Sequence, residues 1–156
     1  MLLAIYLNDH LAGATAGSEL ARRAAASNRG TSYAPFLEDL ANQIDEDRAS
    51  LLAAMRTLKI RVDPLKVAGA WGAEKLGRLK LNGRLLGYSP LSRVVELEAL
   101  ALGVHGKLAM WRSLEALEPA LGLPAGIDLP KLAGRAERQL EELETHRLRA
   151  VAEAFR

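Results

Sequence analysis

The sequence predicts an all-α fold, a bundle of four long helices. Of its 156 residues 49% are hydrophobic but only 4% are aromatic, so the core must be built mainly from Leu and Ala, which favour helices over strands. Four long segments carry apolar residues at spacings of three and four, the period of an amphipathic helix. A chain of this length is typical of a single domain, here 1–156, which can bury a core without disulfides.

The first predicted helix covers 2–27, because Asn28 and Gly30 form a favourable helix end. Its apolar stripe contains a histidine at position 10. The small residues Gly13 and Gly17 predict that a neighbouring helix approaches this one closely.

The second predicted helix covers 32–59, since Thr31 or Ser32 can cap it. Arg48 falls in the centre of its apolar stripe and Asp47 lies at the edge of that stripe. A charged pair in such a position predicts polar contacts inside the bundle.

Two further long helices follow a long connection. The connection itself contains a predicted helix over 64–82, because Asp63 can cap it and Pro64 is favoured at the first helical position. The third long helix is predicted over 89–117 and is apolar on most of its circumference, which places it in the middle of the bundle. The fourth is predicted over 129–155.

The lengths of the connections predict the topology. The first and second helices, and likewise the third and fourth, are joined by loops short enough for antiparallel hairpins. The connection between the hairpins contains about 18 helical residues, or about 27 Å of rise, which suits a crossover that makes the second and third helices parallel. This up-down-down-up arrangement is the ferritin-like form of the four-helix bundle.

The same topology predicts a polar layer near the middle of the bundle. Counted from one end at 1.5 Å per residue, inward polar side chains of all four helices lie within about 6 Å of the same height. The side chains predicted to form this buried polar network are His10, Asp47, Arg48, His105 and Gln139.

In these features the chain resembles the ferritin-like superfamily. More closely, it resembles an uncharacterised bacterial family of ferritin-like bundles, through the stretches YLNDHLAGATAGSELARR, EDRASLLAAMR and KLNGRLLGYSPLSRVVELEAL. The resemblance covers nearly the whole chain. It implies a bundle in which a central layer of acids and histidines holds two metal ions, with Glu on two helices and Glu-x-x-His on the other two.

The chain departs from that ligand pattern. The second helix has no histidine, and Glu142 and His146 are four residues apart where the motif needs three. A permanent cation at Arg48 would repel two divalent ions, so we expect no metal and no cofactor. The alternative is an altered Fe or Mn site, with an oxidoreductase or metal-storage role. Its candidate ligands are His10, Asp47, Glu98, His105 and His146.

Three functions compete on this evidence. The first is a non-catalytic interaction or structural protein, acting as a homodimer or with another protein partner. The second is the Fe or Mn protein described above. The third is binding of an anionic ligand or nucleic acid through a basic cluster, which lacks the interleaved aromatic residues of nucleic-acid-binding surfaces. The cluster consists of Lys66, Lys75, Arg78, Lys80 and Arg84.

The sequence also bears on location. No stretch approaches the ~18 uninterrupted apolar residues of a membrane span. Residues 2–7 are apolar but too short for a signal sequence. We therefore expect a soluble cytoplasmic protein without a membrane partner.

Overall fold

A computed structural model describes residues 1–66, 68–69, 88–124 and 126–156, and it confirms an all-helical fold over these ranges. The long helices are α1 (Leu2–Ser27), α2 (Ala34–Thr57), α3 (Pro90–Leu121) and α4 (Leu129–Ala154). None of the helices in the described part of the chain is long and apolar enough to cross a membrane.

Helix α1 has the bounds predicted from the sequence, whereas α2 is two residues shorter at each end. At its start, the backbone carbonyl of Thr31 accepts a hydrogen bond from the amide of Ala34 at 3.2 Å, and the Thr31 hydroxyl accepts one from the amide of Tyr33 at 3.2 Å. These bonds form a turn in place of the first helical turn. At the other end Lys59 adopts a φ of 55°, a left-handed conformation that ends a helix.

Helix α3 is longer than predicted. Its first turn is closed by reciprocal hydrogen bonds between Ser89 and Ser92, a capping box. It continues to Leu121, beyond the predicted end at residue 117, and stops at Gly122, which adopts a φ of 60°. The helix therefore ends where a glycine can take the left-handed conformation.

Residues 64–66 and 68–69, at the start of the predicted crossover, are helical. The Asp63 carboxylate caps them by accepting hydrogen bonds from the amides of Leu65 at 3.0 Å and Lys66 at 3.3 Å. The rest of the predicted helix over 64–82 lies outside the described residues.

Contacts between the helices define their relative directions. Tyr6 Oη donates a hydrogen bond to Ser113 Oγ at 3.3 Å, and Arg23 Nε to Glu96 Oε1 at 3.3 Å. Early residues of α1 thus meet late residues of α3, so these two helices are antiparallel.

Helices α2 and α4 are antiparallel for the same reason. The ring of Phe36, early in α2, stacks on that of His146, late in α4, with 3.8 Å between centroids. Farther along α2, Asp47 pairs with Arg135, near the start of α4. Since α1–α2 and α3–α4 pack as hairpins, α1 and α4 run in one direction and α2 and α3 in the other.

The core consists mainly of Leu and Ala, as predicted, and the indole of Trp111 in α3 is completely buried within it. Helix α3 packs against α1 and α4, whereas α2 packs chiefly against α1. Helix α3 was predicted to lie in the middle of the bundle, but in the described residues part of its apolar surface is open to solvent, because Leu102 is 74% exposed and Leu91 and Leu117 are also exposed.

Candidate functional site

A cluster of charged and amide side chains lies buried between α2, α3 and α4. Asp47 is only 2% exposed, and its two carboxylate oxygens accept hydrogen bonds from Lys107 Nζ and Arg135 Nη2. Gln139, also buried, accepts from Lys107 Nζ at 2.5 Å and donates to Gln43 Oε1 at 2.9 Å. A buried carboxylate is stable only when it is paired and hydrogen-bonded, and this arrangement meets both conditions.

Helical spacing brings these side chains together. On α4, Arg135 and Gln139 are four residues apart, and on α2 the same separation relates Gln43 to Asp47. Residues four apart share one face of a helix, so two antiparallel helices present two polar side chains each. Lys107 reaches the cluster from α3.

The electrostatics of the cluster are dominated by burial. Burial lowers the pKa of the Lys107 ammonium, and the attraction and hydrogen bond of Asp47 oppose that effect. Two cations share one buried carboxylate, although Arg135 also bonds to the exposed Glu46 at 2.6 Å. The cluster therefore has no spare negative charge.

The structure brings together only part of the predicted polar network. Asp47 and Gln139 lie side by side, but Arg48 points elsewhere and donates through Nε to Thr15 Oγ1 at 3.1 Å. His105 is exposed. Its inclusion in a buried network was wrong, because successive helical residues are rotated by about 100° and Val104 takes the inward position.

The cations that the sequence analysis missed are Lys107 and Arg135. Each occurs in its helix at a spacing that signals an inward position. Lys107 is three residues after Val104 and seven after Leu100, both buried, and Arg135 precedes Gln139 by four. This spacing indicates that each cation lies on the inward face of its helix, but it does not indicate which cation pairs with Asp47.

The alternative ligand set for Fe or Mn is not assembled. Glu98 is exposed and pairs with Arg147 at 3.4 Å, while His146 stacks on Phe36. Asp47 is already bound to two cations. Over the described ranges, no three side chains of His, Asp or Glu come close enough to hold a metal ion, so these residues do not fit a two-metal site.

Next to the cluster lies a cavity of about 220 Å³ between α1, α2 and α3. Its wall is mainly apolar, and its titratable side chains are those of Asp9, His10, Asp47, Arg48 and Lys107. The larger apolar side chains of the wall are Ile44, Leu51, Leu100, Val104, Met110 and Trp111.

Four glycines line the cavity, Gly13 and Gly17 on α1 and Gly103 and Gly106 on α3. A Cβ atom added at any of them would meet no described atom within 4 Å. The prediction that Gly13 and Gly17 allow close helix packing is therefore wrong within the described part of the chain. These glycines border open space, although each one costs a helix about 0.5–1 kcal/mol relative to alanine.

Two side chains that line the cavity, Trp111 and His10, have polar ring nitrogens without a hydrogen-bond partner among the described residues. Trp111 is 0% exposed, and its indole Nε1 has no hydrogen-bond partner among the described residues. Leaving such a donor unsatisfied costs about 1–3 kcal/mol. His10, half-buried, contacts the ring of Tyr6 edge-on at 4.5 Å between centroids. Burial lowers its pKa, an effect that Asp9 partly opposes, so the imidazole is neutral at pH 7.

The predicted basic cluster is described only at Lys66. Its Nζ forms an ion pair with Asp9 at 2.6 Å, so its charge is balanced locally. Lys75, Arg78, Lys80 and Arg84 lie outside the described residues.

A second polar network lies at the end of the molecule where the chain passes from α1 to α2. Asn28, fully buried, donates to Tyr88 Oη at 2.7 Å and accepts from Arg93 Nε at 2.6 Å. The ring of Tyr33 lies between two guanidinium groups, 4.3 Å from that of Arg93 and 4.8 Å from that of Arg149. Burial raises the pKa of Tyr88 to about 12, so its hydroxyl stays protonated.

Comparison with protein-family models, with curated proteins and with solved structures found no match to this chain. The resemblance to ferritin-like bundles therefore stays a prediction.

Proposed function

We propose that this protein is a non-catalytic, metal-free helical bundle that binds a small, mainly apolar molecule in the cavity between α1, α2 and α3. The observation that carries the proposal is the cavity itself, bordered by four glycines where side chains would fit. For comparison, an apolar cavity of about 150 Å³ engineered in another protein binds benzene. A volume of about 220 Å³ accommodates a somewhat larger molecule.

The metal-free part of the proposal is supported by the charge of the buried cluster. In a ferritin-like bundle, with which these helix directions are compatible, the polar layer holds two metal ions between carboxylates. Here Lys107 and Arg135 occupy the coordinating oxygens of Asp47. Protein cations thus supply the positive charge that metal ions would supply.

A binding role fits the cavity better than a catalytic role. Asp47 and Lys107, the buried charged groups in the wall, already bond to each other, and Lys107 also bonds to Gln139. A general acid or base needs a free position toward its substrate; His10 has one, but the carboxylates of the wall that could act with it are already ion-paired. The apolar wall instead supplies the burial that drives binding of a small apolar molecule.

The homodimer expected from the sequence remains part of the proposal. Large apolar side chains are exposed near the start of α1 and near residue 63, namely Leu2, Ile5, Val62 and Leu65. Size-exclusion chromatography with light scattering at micromolar protein tests this part, and a monomer at every concentration would contradict it.

Isothermal titration with 1-octanol tests the ligand-binding role. We expect binding to the wild type and its loss in Gly106→Leu, because the new side chain fills the cavity. The matched control is Gly134→Leu, since Gly134 is a half-buried helical glycine outside the cavity, where an added Cβ would meet only the Arg138 side chain at 3.6 Å. Equal binding by both variants, or no binding by the wild type, would refute the proposal.

A further inference from the structure

The cationic group of Arg48 has no anionic partner in the cavity wall. Arg48 is half-buried and uses Nε for its bond to Thr15. Within the described ranges, no carboxylate lies within ion-pair distance of its guanidinium; Asp45 attracts it only from a greater distance, and the nearby acids have other partners. These partners are Lys66 for Asp9, Arg22 for Asp45, and Lys107 with Arg135 for Asp47.

The Nη groups of Arg48 have no hydrogen-bond partner among the described residues, and a guanidinium can only donate. The indole N–H of Trp111 is also unsatisfied among those residues, but its nitrogen is completely buried, so an occupant of the cavity does not reach it. The neutral imidazole of His10 offers one donor and one acceptor. Arg48 is therefore the group of the described wall that favours a hydrogen-bond acceptor and a negative charge in the occupant.

We infer that the molecule bound in this cavity is a small monocarboxylic acid, whose apolar part lies among the glycines and whose carboxylate pairs with Arg48. This inference rests on the proposed ligand-binding function. A guanidinium matches a carboxylate through two parallel N–H···O bonds. A single negative charge balances Arg48, the guanidinium of the described cavity wall that lacks an ion-pair partner, whereas a phosphate dianion would need a second cation, and both Lys107 and Arg135 are committed to Asp47.

Octanoate and 1-octanol form the probe pair that separates the two proposals, since they have the same chain length and differ in the head group. We expect wild-type protein to bind octanoate at least about tenfold more tightly than 1-octanol, the effect of one hydrogen-bonded charge. Arg48→Gln should reduce the octanoate affinity to that for 1-octanol and leave the latter unchanged. Arg48→Lys should retain an intermediate preference. Arg112→Gln, a change at an exposed arginine that lies outside the cavity wall and pairs with Glu137, should retain the full preference.

Each outcome has one meaning. Equal affinities for the two probes in the wild type, or an equal loss of both in Arg48→Gln, would overturn the carboxylate inference and leave the binding function standing. Absence of binding by both probes would overturn the binding function and the inference together. Circular dichroism of each variant at 222 nm confirms that the protein titrated is folded.

Discussion

Replacing Asp47 by asparagine removes the carboxylate that pairs with both Lys107 and Arg135. The Lys107 side chain is 14% exposed and that of Arg135 is 21% exposed, so water replaces little of the lost interaction. Removing one partner of a buried ion pair costs about 3–5 kcal/mol. Because Arg135 keeps its bond to Glu46, we expect the lower end of that range, about 3 kcal/mol. This is a large part of the ~5–15 kcal/mol that stabilises a typical domain.

The loss of stability caused by Asp47→Asn should depend on pH, because the pKa of Lys107 differs between the folded and the unfolded chain. Burial already lowers the pKa of Lys107, and the asparagine variant loses the attraction of Asp47 that opposes this effect. The unfolded chain keeps the lysine proton up to the ordinary pKa of 10.5, whereas the folded variant releases it at lower pH. The unfolded state then binds more protons, so the stability of the variant rises with pH below 10.5 and the penalty shrinks.

Urea unfolding followed by circular dichroism at 222 nm measures these effects, at about pH 7 and about pH 9.5. Lys107→Met is the companion variant, and it should cost only about 1–2 kcal/mol because Asp47 keeps Arg135. The double variant has no unpaired ammonium. Its loss of stability should therefore be smaller than the sum of the two single-variant losses, by about 1–3 kcal/mol. A loss below about 1 kcal/mol for Asp47→Asn, or additive losses, would refute the view that this cluster is desolvated.

Three further predictions concern other parts of the molecule. Asn28→Ala should lower the free energy of unfolding by about 2–3 kcal/mol in urea titrations, because it leaves Tyr88 and Arg93 without a buried partner; a loss under about 0.5 kcal/mol would contradict the role of this network. Since burial lowers the pKa of His10, the folded protein should lose stability as pH falls through 6.5. In urea titrations at several pH values, the free energy of unfolding should fall less steeply with decreasing pH in His10→Gln than in the wild type. Equal pH dependence of the two proteins would contradict this role of His10. Gly122→Ala should lower the thermal midpoint, since a left-handed φ costs a residue with a Cβ about 1 kcal/mol, and an unchanged midpoint would argue against this helix end.

The sequence predicts the helices well because their signals are local. The bounds of α1 follow from an apolar period that stops at Asn28, and the start of α3 follows from Ser89 and the proline behind it. The end of α3 was predicted too early. Pro119 follows the predicted end by two residues. Proline lacks an amide donor but does not always end a helix, and here the helix stops only at Gly122, where the backbone becomes left-handed.

The candidate site was predicted less completely because it depends on helix rotation. Asp47 and Gln139 could be recognised as inward polar residues by their spacing. Whether Arg48 or Arg135 pairs with Asp47 depends on how each helix is turned about its axis, and one residue corresponds to a turn of about 100°. A sequence without contacts does not determine that angle. The cavity was missed for a related reason, since small residues allow either close packing or open space.

The four cavity glycines lower the stability of the folded chain by an amount that can be compared with the effect of a bound ligand. Alanine would fit at each position, because no described atom lies within 4 Å of the added Cβ. Together the four glycines cost the helices about 2–4 kcal/mol relative to alanine. A ligand present at about 100 times its dissociation constant stabilises the folded state by about 2.7 kcal/mol, which is of the same size. If the proposed ligand binds, it would restore approximately the stability that the glycines remove, whereas a bundle without an occupant would be more stable with alanine at these positions.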